Sequence, residues 1–264
     1  MQRIYIVSYP KSGRTWLRYS LAVLEAWRTG RPTEAVREKI KQYDRIGEYE
    51  LEYSHDKVEK LPWQSWESDK ADRVQRGYPC ILVTRDPRDI MVSFYYHITY
   101  RRGSHTTMHG FLTDQLRGFE ACCNFMEHWL RLADNLPNVY DVQYEDMHQD
   151  YRATMSRLLA WMGIQLSEYE AKKLQDVTSF DEMQKREMCG DFSGRCLGML
   201  GQNRYDTRSY KCRRGMVGEW QWRFDRLELE WMANIMAKYP RVVARQKGTE
   251  RDHAKNPRYQ YLAK

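Results

Sequence analysis

A short apolar run, Ile4-Tyr5-Ile6-Val7, has no polar break and ends at the turn Tyr9-Pro10-Lys11-Ser12-Gly13. A strand apolar on both faces is one buried on both faces, the pattern of a parallel sheet. Beyond the turn, Trp16, Leu17, Leu21, Leu24 and Trp27 recur at helical spacing as far as Gly30. The chain therefore opens as strand, loop and helix. Backbone N–H groups at the start of such a helix point outward, and the helix dipole favours negative charge there. Lys11 adds a cation to this loop, and Ser12 and Thr15 add hydroxyl donors. An ordinary turn with an exposed lysine is the alternative.

The rest of the chain continues this alternation. Tyr49, Leu51 and Tyr53 alternate with Glu50, Glu52 and Ser54, predicting a second strand that delivers His55 at its end. Cys80-Ile81-Leu82-Val83-Thr84 predicts a third, stopped by Arg85-Asp86-Pro87. Pro87 suits the first turn of a helix running through Ser93 and Tyr96. Val139 to Tyr144 predicts a fourth strand, and helical patterns follow at about 151–162, 167–175 and 225–238. The expected fold is α/β, a single domain with a central parallel sheet flanked by helices and a P-loop-like strand-loop-helix start. The length of 264 residues fits one such domain.

Residues 1–240 are assigned to that domain and 241–264 to a basic, solvated tail. From Arg241 to Lys264 there are seven basic and two acidic residues, so +5 of the net charge of +7 sits there. With the remainder nearly neutral, the charge does not describe a nucleic-acid surface. Residues 189–215 carry Gly190, Gly194, Gly198, Gly201 and Gly215 among many basic residues, and predict a mobile loop that covers a site. None of the six cysteines forms a CxxC pair, which disfavours a zinc cage. Cys189, Cys196 and Cys212 fall in the loop with no assigned role. Arg3, Lys11, Arg14 and Arg18 interrupt any signal-peptide core, and no apolar run reaches the ~20 residues that span a bilayer. The expected location is cytoplasmic, with no membrane partner.

A nucleoside-triphosphate loop would need Gly, four residues, then Gly-Lys-Ser/Thr. Here Ser8 replaces the first glycine, and Gly13-Arg14-Thr15 puts arginine where the lysine belongs. A planar guanidinium is a poor replacement for a compact ammonium. A kinase or NTPase would also need a carboxylate for Mg²⁺, for which Asp86 and Asp141 stand at suitable strand positions.

Five segments in one order resemble those of sulfotransferases that use 3′-phosphoadenosine 5′-phosphosulfate (PAPS). Residues Tyr9 to Trp16 resemble the family's 5′-phosphosulfate loop. The segment Arg85 to His97 resembles its 3′-phosphate strand and helix. Arg213-Arg214-Gly215-Met216-Val217-Gly218-Glu219-Trp220 resembles the basic-glycine element that contacts the same phosphate. Tyr144-Glu145-Asp146-Met147 and Thr178-Ser179-Phe180-Asp181-Glu182-Met183 match two further segments. Each alone is weak; together they are specific from residue 9 to residue 220.

The resemblance implies a donor site made by Lys11, Ser12, Gly13, Arg14, Thr15, Trp16, Arg85, Ser93, Tyr144, Thr178, Phe180, Arg213, Arg214 and Gly215. Arg85 and Ser93 would grip the 3′-phosphate, and Arg213 and Gly215 would clamp it. Trp16, Thr178 and Phe180 would hold the adenine, with core packing the alternative for Trp16. His55 is implied as the catalytic base, with Lys11 on the leaving group and Ser93 restraining Lys11. PAPS would be the donor and adenosine 3′,5′-bisphosphate (PAP) the product, with no metal. At Arg14 the animal cytosolic members usually carry threonine, so this side chain is expected either on a phosphate or on the surface.

The acceptor is expected to be a small molecule bound by loops 30–48, 97–115 and 189–212, with Tyr43, Tyr96, Tyr100 and Phe111 at hand. A phenol, an alcohol or an amine all fit. Glu48, Glu50 and Glu52 near His55 leave a cationic acceptor open, unless Glu50 and Glu52 face away. The family's C-terminal dimerisation pattern is not recognisable after Trp220.

Overall fold

The computed structural model describes residues 2–190 and 205–253, with side chains as far as Gln246. Cys196 and the glycines at 194, 198 and 201 lie outside the described residues. Five strands form one sheet: β1 (Gln2–Ser8), β2 (Arg45–Ile46), β3 (Tyr49–Ser54), β4 (Cys80–Thr84) and β5 (Val139–Gln143), in the order β2-β3-β1-β4-β5. The β3, β1, β4 and β5 strands run parallel, and the short β2 adds an antiparallel edge that the sequence pattern did not reveal. The expected α/β architecture, a central parallel sheet flanked by helices, is the one observed.

Alternation along the strands sends side chains to two cores. Ile4, Ile6, Leu51, Ile81, Val83 and Val142 pack under helix α1 (Arg14–Arg28) and the helices Tyr151–Trp161 and Glu168–Thr178. Tyr5, Val7, Cys80, Leu82 and Val139 pack under the helices Pro87–Tyr96, Phe119–Asn135 and Arg226–Met236. Each buried Val, Leu or Ile contributes about 1.5–3 kcal/mol by leaving water. A charge at Ile81, fully buried in the central sheet, would break the first core.

Local signals set the helix starts. Asp86 accepts a hydrogen bond from the Arg88 N–H with Pro87 at the first helical position, and Ser167 with Glu170 closes a capping box. Tyr144, read as the last strand residue, instead begins the helix Tyr144–Gln149.

The segment after residue 240 departs from the expected tail. Pro240–His253 is helical, Val242 is fully buried in the second core, and Arg241 donates to Glu127 and Asp134. Arg245 pairs with Asp141. The start of this basic segment is thus docked on the domain. A summed charge does not reveal that individual arginines have carboxylate partners.

Candidate active site

Lys11 and Gly13 both adopt positive φ, 73° and 93°, and this lets the chain turn from β1 into α1 within five residues. A Cβ at Gly13 would overlap the Tyr144 ring, so the loop lies directly against that aromatic. Arg14 follows as the first residue of α1.

The parallel register of β1 and β3 pairs Val7 with Ser54, which brings His55 beside Ser8. The His55 Nδ1 lies 2.8 Å from the Ser8 carbonyl oxygen. A carbonyl only accepts, so Nδ1 carries the proton and Nε2 keeps its lone pair. The Arg14 Nη2 donates to that Nε2 at 2.8 Å. Burial, and then the Arg14 charge, lower the His55 pKa to about 3. Burial also lowers Lys11 to about 7, helped by the nearby charges of Lys211 and Arg101.

Arg85, at the end of β4, lies face-on to the Tyr144 ring at 4.2 Å and donates to the Met216 carbonyl at 2.8 Å. Its Nε is buried with no hydrogen-bond partner among the described residues. Asp89, one turn into the helix Pro87–Tyr96, accepts from the N–H groups of Gly218 and Trp220 at 2.7 and 3.1 Å. These bonds tie the Arg213–Trp220 segment to that helix. Arg213 is paired with Glu219 and lies over the Tyr96 ring at 4.1 Å. Gly215 has φ 58°, and a Cβ there would overlap the ring of Phe180.

These groups line one cavity of about 480 Å³. Of the residues named from sequence, Lys11, Gly13, Arg14, Thr15, Trp16, His55, Arg85, Ser93, Tyr144, Phe180, Arg213, Arg214 and Gly215 line it. Ser12 and Thr178 do not. Ser12 is buried beneath the loop, its hydroxyl without a partner among the described residues. Thr178 is fully buried and its hydroxyl bonds Tyr151 at 2.9 Å and the Leu174 carbonyl at 2.7 Å. It supports the layer behind Trp16, which stacks on Tyr151 with ring centres 5.6 Å apart. Trp16 thus packs on the core and also lines the cavity.

The cavity also takes in Glu59, and His97, Arg101, Arg102 and Lys211 from the loops 97–115 and 189–212 expected at the acceptor, none of them singled out individually from sequence. The helix Pro87–Tyr96 passes into a π-helical turn, His97–Arg101, which puts His97 and Arg101 on the cavity wall. No residue of 30–48 lines the cavity, and neither do Tyr96, Tyr100 and Phe111. Glu50 and Glu52 face away and bind Arg3 and Lys70, which removes the cationic-acceptor argument based on them. Of the expected mobile loop, Cys189 closes the helix Phe180–Cys189, and Lys211–Arg213 is anchored. Glu187 accepts from the N–H groups of Lys211 and Cys212, and Gln184 donates to the carbonyls of Cys212 and Arg213.

Asp86 binds Arg88 through both carboxylate oxygens, and Asp141 accepts from Thr84 at 2.8 Å besides holding Arg245. Both carboxylates proposed for Mg²⁺ are thus structural partners. No described helix is long and apolar enough to cross a membrane.

A strand-loop-helix cradle, a histidine at the end of the neighbouring strand and an arginine-rich clamp form a cavity suited to an anionic ligand. Comparison with known proteins identifies the class. The sulfotransferase domain profile matches residues 1–241, and the chain belongs to that family. The amine sulfotransferase of Oryctolagus cuniculus is 23% identical over 266 residues, covering 89% of this chain and 82% of the relative. The 3-alpha-hydroxysteroid sulfotransferase of Cavia porcellus is 27% identical over 259 residues, with 89% and 83% covered. Mouse sulfotransferase SULT7A1 complexed with PAP superposes with a TM-score of 0.63 at 22% identity, covering 91% of this chain and 85% of that one. Retinol dehydratase in complex with androsterone and PAP superposes with a TM-score of 0.65 at 14% identity, covering 90% and 81%. The chain is a sulfotransferase.

Proposed function

We propose that this enzyme transfers a sulfuryl group from PAPS to a hydroxyl or amine of a small acceptor, with His55 as general base and Lys11 at the leaving group. The observation that carries this reading is the unprotonated Nε2 of His55, held in that tautomer by Ser8, on the same cavity as Lys11 and the Arg85–Arg213 clamp. The residues fit an adenosine bisphosphate: Arg85 Nε and Trp16 Nε1 are buried donors without partners among the described residues. Such groups are uncommon in folded proteins, and these two belong to residues that line the cavity. Two glycines lie where a Cβ would collide with the aromatic rings of the wall.

Arg85, Ser93, Arg213 and Arg214 would hold the 3′-phosphate, and the loop Lys11–Thr15 the 5′ end. PAPS supplies the sulfuryl group. His55 Nε2 takes the acceptor's proton as the acceptor oxygen bonds to sulfur, and the bond from sulfur to the bridging phosphate oxygen breaks. Lys11 meets the charge that develops on that oxygen. Positioning and electrostatics carry most of such a transfer. Its pKa of about 7 means that Lys11 takes up a proton when an anion arrives beside it.

PAP release from PAPS, followed over a panel of phenols, alcohols and amines, tests the reading. Turnover with at least one acceptor, lost in His55→Ala with PAP still bound, is expected. Normal turnover in His55→Ala removes histidine from the reaction.

A further inference from the structure

Resting on the sulfotransferase reading, the cavity also carries information about the acceptor. Arg14 occupies the one atom of His55 that an acceptor hydroxyl has to reach, at 2.8 Å. The acceptor cannot approach Nε2 until the guanidinium moves, so whatever binds must give Arg14 another partner. Among the described residues, no carboxylate pairs with Arg14, and its Nη1 is buried with no hydrogen-bond partner. A largely buried guanidinium without a counter-ion is costly, and burial lowers its pKa to about 10.

The surrounding wall has the same sign. Arg101, Arg102 and Lys211 line it. The acid on this side of the cavity, Glu59, is held by Arg102 at 3.0 Å, and Arg101 lies 3.5 Å from Glu187. Arg85, Arg213 and Arg214 stand together on the donor clamp, whereas the Arg14 side chain is turned to His55.

We propose that the Arg14 side chain recognises a carboxylate on the acceptor, close to the reacting hydroxyl, so that the preferred acceptors are small hydroxy acids. A guanidinium fork matches a carboxylate bidentately, which a point charge does not. Because Arg14 and His55 are neighbours, a hydroxyl on His55 and a carboxylate on Arg14 belong to nearby atoms of one small acceptor. Engagement of Arg14 by the acid also frees Nε2 of the contact that blocks it and of the neighbouring charge that weakens it as a base. The main chain of Arg14 stays with the donor loop while its side chain serves the acceptor.

The test is calorimetric titration of the PAP-saturated protein with 2-hydroxybenzoate and 3-hydroxybenzoate, each against its methyl ester, in wild type and Arg14→Gln. At least one acid should bind roughly 10- to 100-fold more tightly than its ester in the wild type, the range for a hydrogen-bonded charge. Arg14→Gln should bring the two within about 3-fold on protein saturated with PAP, since an amide keeps polarity without charge. Acids that bind no better than esters, or a preference that survives in Arg14→Gln, overturn the proposal. So does an Arg14→Gln protein that loses PAP affinity, because the guanidinium would then serve the donor. A wild type that does not bind PAP removes the donor reading itself, and this first titration separates the two failures.

Discussion

Replacing Lys11 with methionine should stabilise the unliganded protein while weakening its binding of PAP. Lys11 is held in a strained left-handed conformation over a cavity rich in cations, and its pKa falls from 10.5 to about 7. That drop of roughly 3.5 units is worth about 4–5 kcal/mol if the ammonium is shut off from water. The side chain is partly exposed to an open cavity, so screening reduces the penalty to about 1–2 kcal/mol. A lysine whose folded pKa lies below its unfolded one destabilises fully at and below pH 7. The penalty fades as pH rises toward 10.5, where both states are neutral. Lys11→Met should therefore raise Tm by about 2–8 °C at pH 7, with the gain shrinking by pH 10. Urea unfolding of wild type and variant across pH 6–10 measures this. In parallel, PAP affinity should fall roughly 10- to 100-fold through loss of a charge-assisted contact. A variant that is less stable at pH 7, or whose advantage grows with pH, refutes the account of Lys11 as a buried cation awaiting an anion.

His55→Ala should lower kcat by about 10²- to 10⁴-fold, the usual share of a general base, with PAP affinity unchanged in calorimetry. Gly215→Ala should weaken PAP binding at least tenfold, because a Cβ there displaces Phe180 and φ 58° strains the backbone. Direct titration reads it, and unchanged affinity would remove Phe180 from the donor site. Thr178→Val should cost about 1–2 kcal/mol of stability through its lost hydroxyl bonds and leave PAP affinity within about twofold. A large loss of affinity with normal stability would return Thr178 to the adenine site.

The sheet and its helices were legible because their signals are local. Ile4–Val7 and Cys80–Thr84 are continuous apolar runs, and Pro87 after Asp86 fixes a helix start. The lining of the cavity was legible through motif resemblance, and its errors have physical causes. Thr178 carries a hydroxyl in a matched segment, yet it follows Ala171 and Leu174 at helical spacing on the buried face, a phase the motif alone ignored. The contact between Arg14 and His55 spans 41 residues and depends on the β1–β3 register, which no local pattern encodes. The segment from residue 97 was expected at the acceptor, but His97, Arg101 and Arg102 were not singled out within it, because a π-helical turn changes the helical phase just where the periodic signal ends. The docked start of the basic segment was hidden because a charge count is blind to Glu127, Asp134 and Asp141 more than a hundred residues earlier.

The most direct test of the donor assignment is calorimetric titration of the purified protein with PAP, beside ATP plus Mg²⁺. Tight binding of the bisphosphate that is unaffected by a chelator, and lost in Arg85→Ala, is the predicted result. Preference for Mg·ATP, or binding of neither nucleotide, would contradict it.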